Sequence, residues 1–394
     1  MRSFVSRATA TAVVALLTGL VSPVAAHAAV AAPGAPLRTV ASEPTLPGMP
    51  TQLDFASCSQ GPVGTVALDD ASRNPVMLTA GHCTHAVNPF WQPTDAVYSP
   101  GVDGNELIGH RGPSGFDNPM TGEPVADLAA SVVSQDWSVV ELEPSTTTSR
   151  LSQSRNHDGL PSGTPVVLTG IRDYPDLAPG QISFDNFGQP ICKDGDVSGR
   201  TCGQQLFRTR NSVFHQNLGY EHGDSGGVNF DPNTHEVIGV ASQALGNFGR
   251  AQTADVALET AYGIPDGQVN QAFQLAESTE PHDTDLRTQS QDEQATREWT
   301  KQNYPDVQFT PQPTFQQQLD NQVKWAQSDV QALGTMFGDS VATGDMARAQ
   351  RVAETAGKVG NYYAETLPDY AAMAAIENVA STVTVPMPPE GFLQ

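Results

Sequence analysis

Short apolar segments alternate with polar turns through the middle of the chain. In each segment hydrophobic residues either alternate with polar ones or form a short continuous run, and clusters of Gly, Pro and Asn separate the segments. This pattern is typical of an all-β barrel or sandwich. It predicts strands at 63–68, 76–80, 107–109, 129–133, 138–142, 166–171, 205–208 and 237–241. Two helical segments, 254–262 and 269–276, close this β domain, which we place at residues 53–276.

The last third of the chain has a different pattern. Residues 277–313 are polar and rich in Gln, Asp and Thr, and they predict a linker. Beyond them apolar residues recur at steps of four and three, which is the helical period. These residues are Phe315, Leu319, Val323, Ala326, Val330, Leu333 and Phe337. Thr314 and Gln317 form a capping box at the start of this helix.

Residues 314–394 are therefore predicted to form a helical C-terminal extension. A second helix is expected to start after Asp345 and to end before Pro368, and a third short helix is expected over 369–380. These helices either pack their apolar faces in a hairpin or against the β domain, or they bind a partner. The sequence does not identify that partner.

Residues 1–28 have the pattern of a signal peptide. Two arginines precede an apolar run that is too short for a stable membrane anchor, and a small-x-small sequence follows as a cleavage site. Residues 29–52 are rich in Ala, Pro and Thr and predict a leader or linker. No later segment is long and apolar enough to cross a bilayer. We expect a secreted protein without a membrane anchor in its mature form.

Charge and cysteine content narrow the possible partners. The formal net charge is −23, so the surface should repel nucleic acid and anionic lipid. Four cysteines in an exported chain favour disulfide bonds over metal ligation. No glycine-rich phosphate loop is present. We therefore expect no nucleic-acid partner, no metal and no cofactor.

The first candidate for chemistry is Ser225, in His222-Gly223-Asp224-Ser225-Gly226-Gly227. Glycine allows backbone angles that other residues avoid and lets another backbone approach closely. A reactive serine needs an exposed hydroxyl and nearby N–H groups directed at a developing oxyanion. Gly223 and Ser225 are placed to supply those N–H groups. The alternative is a polar glycine turn on the surface.

Two further stretches supply a base and an acid. His82 lies in Leu78-Thr79-Ala80-Gly81-His82-Cys83, beside a cysteine that can fix its position. Histidine titrates near neutral pH and can remove the proton of a serine hydroxyl. Asp136 precedes the apolar segment 137–142, and an acid there can orient the imidazole. Asp127 is a rival for this role.

These stretches, in this order, resemble the chymotrypsin-like (trypsin-like) serine peptidases over residues 53–275. Thr-Ala-Gly-His-Cys and Gly-Asp-Ser-Gly-Gly are the two signature motifs of that family. The resemblance implies an all-β fold with a double antiparallel β-barrel and the active site between the barrels. It implies a catalytic triad of His82, Asp136 and Ser225, with an oxyanion hole at Gly223 and Ser225. Ser242 matches the family serine that hydrogen-bonds the triad acid.

The cysteine spacing favours one of the three possible pairings, Cys58–Cys83 with Cys192–Cys202. The second pair closes a hairpin that resembles an element of the bacterial α-lytic protease and streptogrisin branch. In that branch a basic residue after the first cysteine pairs with the acid before the nucleophile. Lys193 and Asp224 occupy these positions, and we expect them to form a buried ion pair.

The specificity pocket departs from the family pattern. The family usually has a cysteine shortly before the nucleophile, and none is present in 217–222. Gly219 stands where an aspartate would select Lys or Arg, although Glu221 could replace that acid. Ala241 and Ala244 leave room for a large apolar side chain in the substrate.

We therefore predict a secreted serine endopeptidase that acts on a protein or peptide substrate through an acyl-enzyme. A catalytically silent trypsin-fold binding protein and a serine esterase are the alternatives. His85 and His222 are expected at the rim of the site and not as the base. These histidines do not have the sequence spacing that is typical of metal ligands.

Overall fold

The computed structural model describes residues 29–67, 72–87, 91–117, 124–282, 286–308 and 313–387. The predicted signal peptide, 1–28, lies outside these residues. The described chain is mostly β-structure with helices in its last third, which confirms the all-β prediction for the domain and the helical prediction for the extension. Among the described residues, no helix combines the length and apolarity that crossing a bilayer requires.

The structure contains nineteen strands and six helices within the described residues. The strands are β1 (Val30–Ala31), β2 (Pro36–Ala41), β3 (Phe55–Ser59), β4 (Val63–Ala67), β5 (Arg73–Thr79), β6 (Pro93–Gly101), β7 (Gly104–Phe116), β8 (Asp136–Leu142), β9 (Thr147–Thr148), β10 (Leu151–Arg155), β11 (Pro161–Val167), β12 (Gly170–Ile171), β13 (Pro190–Gly195), β14 (Gly199–Arg208), β15 (Ser212–Gln216), β16 (Val228–Phe230), β17 (Glu236–Leu245), β18 (Phe248–Thr253) and β19 (Phe273–Leu275). The helices are α1 (Pro124–Ser131), α2 (Ala254–Tyr262), α3 (Val269–Ala272), α4 (Gln289–Asn303), α5 (Phe315–Ala342) and α6 (Met346–Thr382).

Six strands close into a barrel. They follow the order β17-β16-β13-β14-β15-β18, and β18 pairs back onto β17. All of these pairings are antiparallel, and β12 adds to β17 in parallel. The closed ring removes free strand edges and fixes the direction of the loops at its ends.

The other large sheet has eight strands in the order β19-β4-β5-β8-β7-β6-β2-β3. Its outer strands, β19 and β3, do not pair with each other within the described residues, so the second closed barrel that we expected remains a prediction. The two sheets share one core, in which Leu78 and Val139 pack with Phe230 and Val240. The candidate site lies where the sheets meet.

Residues 29–52 differ from the predicted leader or linker. All six residues of β2 are buried, and β2 pairs with β3 and β6 in the eight-stranded sheet. The segment lacks a clear apolar alternation because Arg38 faces the interior, where carboxylates neutralise it. Its burial was therefore not visible in the hydrophobic pattern.

The segment 277–313 also differs from the predicted linker, because it contains α4. Thr288 and Gln291 form a capping box at the start of this helix. The helix has no apolar stripe, and polar contacts hold it to the sheet instead. The Thr296 hydroxyl, for example, donates to the Leu53 carbonyl at 3.0 Å.

Two further predictions differ in detail. The predicted strand at 129–133 overlaps α1, whose three alanines favour a helix ahead of β8. The predicted break at Pro368 is absent, and α6 continues through it. One lost backbone hydrogen bond does not end the helix, because α6 packs on α5 along the hairpin and on the β domain at its end.

Candidate active site

His82 lies in a single helical turn, Gly81–Cys83, directly after β5. A disulfide bond joins Cys83 to Cys58 on β3, and the turn is therefore fixed to the sheet on both sides. The second pair, Cys192–Cys202, is also bonded and joins β13 to β14. Both bonds match the pairing that the cysteine spacing favoured.

Asp136 begins β8 and is buried beside His82. Its Oδ2 lies 2.8 Å from His82 Nδ1, and its Oδ1 accepts the His82 backbone N–H at 2.9 Å. The Ser242 hydroxyl donates to Oδ2 at 2.5 Å. These bonds fix the imidazole with Nδ1–H toward the carboxylate, which leaves Nε2 as the free base.

The charges of this pair shift both pKa values. Burial alone would lower the pKa of His82, but the charge and the hydrogen bond of Asp136 outweigh it, so the pKa is raised above the ordinary 6.5. Burial alone would raise the pKa of Asp136, yet the charge of His82, with the bonds from His82 and Ser242, holds it well below its usual range. The acid therefore remains ionised at neutral pH.

Ser225 lies in a tight turn whose glycines are required sterically. Gly226 has a φ of +81°, and a Cβ on it would meet the Thr79 hydroxyl and the Ser59 carbonyl. A Cβ on Gly227 would meet the Asp194 carbonyl. The Ser225 carbonyl accepts the Ser59 N–H at 2.7 Å, which ties the turn to β3.

Two N–H groups of this turn have no protein acceptor. Within the part of the chain that the structure describes, neither the Gly223 N–H nor the Ser225 N–H donates a hydrogen bond, whereas the neighbouring N–H groups of Asp224, Gly226 and Gly227 all do. Gly223 has a φ of +103°, which favours glycine. Two unpaired N–H groups flanking a serine form a site for a developing negative charge.

A buried ion pair lies next to the serine turn and stabilises it. Lys193 Nζ lies 2.9 Å from Asp224 Oδ2, and both side chains are buried. Asp224 Oδ1 accepts the backbone N–H groups of Val197 and Ser198 at 3.1 and 2.9 Å. The expected pairing of Lys193 with Asp224 is therefore present in the structure.

Ser225 lies close to the disulfide of Cys83, the residue that follows His82. Cys83 Sγ lies 3.6 Å from the Ser225 carbonyl oxygen, so the two catalytic candidates share one wall of the site. Among the described residues, no hydrogen bond joins the Ser225 hydroxyl to His82. Such bonds are often long before substrate binds and shorten in the complex.

The rival residues lie elsewhere. Asp127 is on α1, and His82 forms its carboxylate bonds with Asp136 alone among the described acids. His85 contacts the Gly81 carbonyl and the Ser114 hydroxyl, each at 3.0 Å, and His222 is exposed. Cys58, His82 and Cys83 are close enough to share a metal, but both sulfurs are in a disulfide and offer no thiolate.

The predicted pocket residues differ in burial. Ala241 is buried and exchanges backbone hydrogen bonds of 2.8 Å with Gly226 and Gly227, so it supports the serine turn. Ala244 is exposed further along β17, and Gly219 is exposed with a φ of +57°. These positions leave the specificity pocket a prediction.

Sequence reasoning missed the residues that connect distant segments to the serine turn. Arg38 on β2 is fully buried and pairs with Asp196 at 3.3 Å and with Asp292 on α4 at 3.0 Å. The Asp196 N–H donates to the Ser59 hydroxyl, which in turn donates to the Gly223 carbonyl at 2.7 Å. A charged residue in a segment without periodicity gives no sequence signal for such a role.

The first residue of α4 also contacts the turn. A Cβ on Gly223 would collide with the side chains of Gln289 and Val197. The C-terminal end of α6 lies on the neighbouring turn, where the Asn247 N–H donates to the Ala380 carbonyl at 2.8 Å. Gln216 exchanges two hydrogen bonds, of 2.8 and 2.9 Å, with the backbone of Val385. Helix α4 therefore borders the serine turn, whereas the end of α6 contacts the turn between β17 and β18.

No protein-family model and no curated protein matches the chain. Among solved structures, the chain is similar to the crystal structure of Thermobifida fusca Protease A, with 19% sequence identity and a TM-score of 0.35. The match covers 62% of this chain and 99% of that chain. Similarity at this level assigns neither a family nor a reaction, so the functional conclusion has to come from the geometry of the site.

Proposed function

We propose that this protein is a secreted, trypsin-like serine endopeptidase in which His82, Asp136 and Ser225 form the catalytic triad. The observation that carries the proposal is the combination of an ionised, buried Asp136 bound to His82 with two unpaired N–H groups beside Ser225. A binding protein would have no need of either arrangement. The peptidase domain spans 53–276 in this proposal, and it also requires β2 and α4.

In the proposed reaction His82 Nε2 removes the hydroxyl proton of Ser225 as Ser225 Oγ attacks the peptide carbonyl carbon. The carbonyl oxygen becomes an oxyanion, and the N–H groups of Gly223 and Ser225 bind it. The C–N bond breaks as His82 protonates the leaving amine. A water molecule then gives a proton to His82 as its oxygen attacks the acyl carbon. The bond between that carbon and Ser225 Oγ breaks, and His82 returns the proton to Oγ, which restores Ser225.

The substrate side chain before the scissile bond is proposed to be large and apolar. Gly219 places no charge where a carboxylate would bind Lys or Arg, and Ala244 is small and exposed on β17. Lys193 and Asp224 are proposed to hold the oxyanion turn in its binding geometry, because Asp224 also fixes the N–H groups of the 196–198 turn.

The test is fluorophosphonate labelling of the secreted protein together with casein digestion. We expect stoichiometric labelling and casein cleavage in the wild type, and the loss of both in Ser225→Ala. Ser145→Ala is the matched control, because Ser145 is an exposed turn residue outside the site. It should retain full labelling.

The alternatives give different results. Labelling of Ser225 with hydrolysis of a nitrophenyl ester but no cleavage of casein or of a peptide library would indicate an esterase. A folded protein that is not labelled would contradict the proposed nucleophile and would indicate a catalytically silent binding protein.

A further inference from the structure

Three carboxylates converge beside α2. Asp173 follows β12, Glu259 lies on α2, and Asp266 lies in the turn between α2 and α3. One carboxylate oxygen of each lies within 4.8 Å of those of the other two. The Asp266 carboxylate accepts the Asp176 N–H at 3.3 Å, and the Asp255 carboxylate on α2 accepts the Tyr174 N–H at 2.8 Å, so the segments that carry these acids are fixed relative to one another.

Glu259 is the unusual member of this group. Its side chain belongs to a residue that is only 8% exposed, yet its Oε1 has no hydrogen-bond partner among the described residues. No Lys or Arg in the described part of the chain forms an ion pair with any of the three acids, whereas nearby Asp176 pairs with Arg210. A buried carboxylate oxygen without a partner is costly unless a cation or a proton compensates it.

The charges that act most strongly on Glu259 are negative. Burial, with the charges of Asp255 and Asp173, raises the pKa of Glu259 to about 7. Burial also raises the pKa of Asp173, and Asp266 adds to this effect. These carboxylates therefore repel one another near neutral pH, and a bound cation would remove the repulsion.

We propose that Asp173, Glu259 and Asp266 form a calcium-binding site that fixes α2 and the following turn to the barrel. Calcium binds six to eight oxygens at about 2.3–2.6 Å, so two ligand oxygens on opposite sides of one ion are about 4.8 Å apart. Because the three carboxylate oxygens lie within 4.8 Å of one another, one ion of this size can contact all three. Asp266 is exposed, which leaves an open side where water can complete the coordination.

Calcium fits this site better than magnesium. Magnesium requires near-ideal octahedral geometry at about 2.0–2.1 Å and keeps most of its water, whereas calcium accepts irregular carboxylate sites. The three acids come from three separate segments, so their carboxylates form an irregular set of ligands. None of the three acids forms a hydrogen bond or ion pair with His82 or Ser225 among the described residues, so the site is independent of the proposed reaction.

The experiment uses the full mature chain in a Ser225→Ala background, which prevents self-digestion. The protein is treated with EDTA, and calcium or magnesium is then titrated by calorimetry and by thermal unfolding at constant ionic strength. We expect one calcium site per chain and a rise of about 5 °C in the unfolding midpoint at a calcium concentration about a hundredfold above Kd. Magnesium should give a much smaller rise.

Glu259→Gln and Asp266→Asn should each lose most of the calcium-dependent rise. Glu298→Gln, an exposed position on α4, removes the same charge outside the site and should keep the full rise. If Glu259→Gln does not fold, the exposed Asp266→Asn carries the test. The absence of a calcium isotherm, an equal effect of magnesium, or an unchanged rise in Asp266→Asn would overturn the proposal.

Discussion

At the scale of single residues, Asp136 determines the pH at which His82 can act as a base. His82 must be neutral to accept a proton, and Asp136 raises its pKa above 6.5. We expect kcat/KM to rise with pH through a midpoint above 6.5. In Asp136→Asn the midpoint should fall below 6.5, because burial then acts alone, and kcat/KM should fall about 10⁴-fold.

The pH profile of wild type and variant measures both effects. Asp127→Asn is the control, and it should leave the midpoint and the rate unchanged because Asp127 lies on α1. The stability effect has the opposite sign to the activity. Protonated His82 stabilises the fold fully below pH 6.5, and this contribution is lost as pH rises through the raised pKa of the folded state. A midpoint that is insensitive to Asp136→Asn would contradict the assigned acid.

At the scale of elements, one cluster of charged side chains next to the serine turn joins β2 to α4. Arg38 bonds Asp196 and Asp292, and Arg287 Nε bonds the other oxygen of Asp292 at 2.6 Å. Removing one member leaves buried charges without a partner. Arg38→Met should therefore lower the free energy of unfolding by about 3–5 kcal/mol.

Denaturant unfolding of secreted protein measures this loss. Arg297→Met is the matched control, since Arg297 is exposed on α4 and its ion pair is with Glu293, one turn away. That change should cost less than about 1 kcal/mol. Equal losses in the two variants would show that the buried cluster contributes no more than a surface pair.

The same two elements show what the sequence could predict. The strands and the motif residues were predictable because alternation and the glycine-rich turn are local patterns. The burial of β2 and the formation of helix α4 were not predictable. Ion pairs and helix capping stabilise them, and neither produces a periodic pattern of apolar residues. In the sequence alone Arg38 resembles a surface residue, because its partners Asp196 and Asp292 are far from it along the chain.

At the scale of the whole molecule, the two C-terminal segments contribute differently. The hairpin of α5 and α6 contacts the β domain through the C-terminal half of α6, which packs on α1 and whose end bonds Asn247, with Gln216 bonding the residues just beyond it. It exposes large apolar residues such as Val330 and Trp325. By contrast, α4 supplies a buried charge to the interior of the domain.

Truncation should separate these contributions. A chain that ends at residue 308 keeps α4 and should be secreted and labelled at Ser225, with a lowered thermal midpoint. A chain that ends at residue 282 loses Asp292 and should yield little folded or labelled protein. Secretion yield, thermal unfolding and fluorophosphonate labelling provide the comparison. Equal behaviour of the two chains would contradict a structural role for α4.

The pairing of Arg38 with Asp292 spans 254 residues of sequence. During synthesis, β2 and the serine turn emerge long before α4 does. The support beneath Gly223 can form only after about three-quarters of the chain has been produced. The order of synthesis thus delays completion of the proposed site until most of the chain has been made, so a nascent chain would lack the proposed activity.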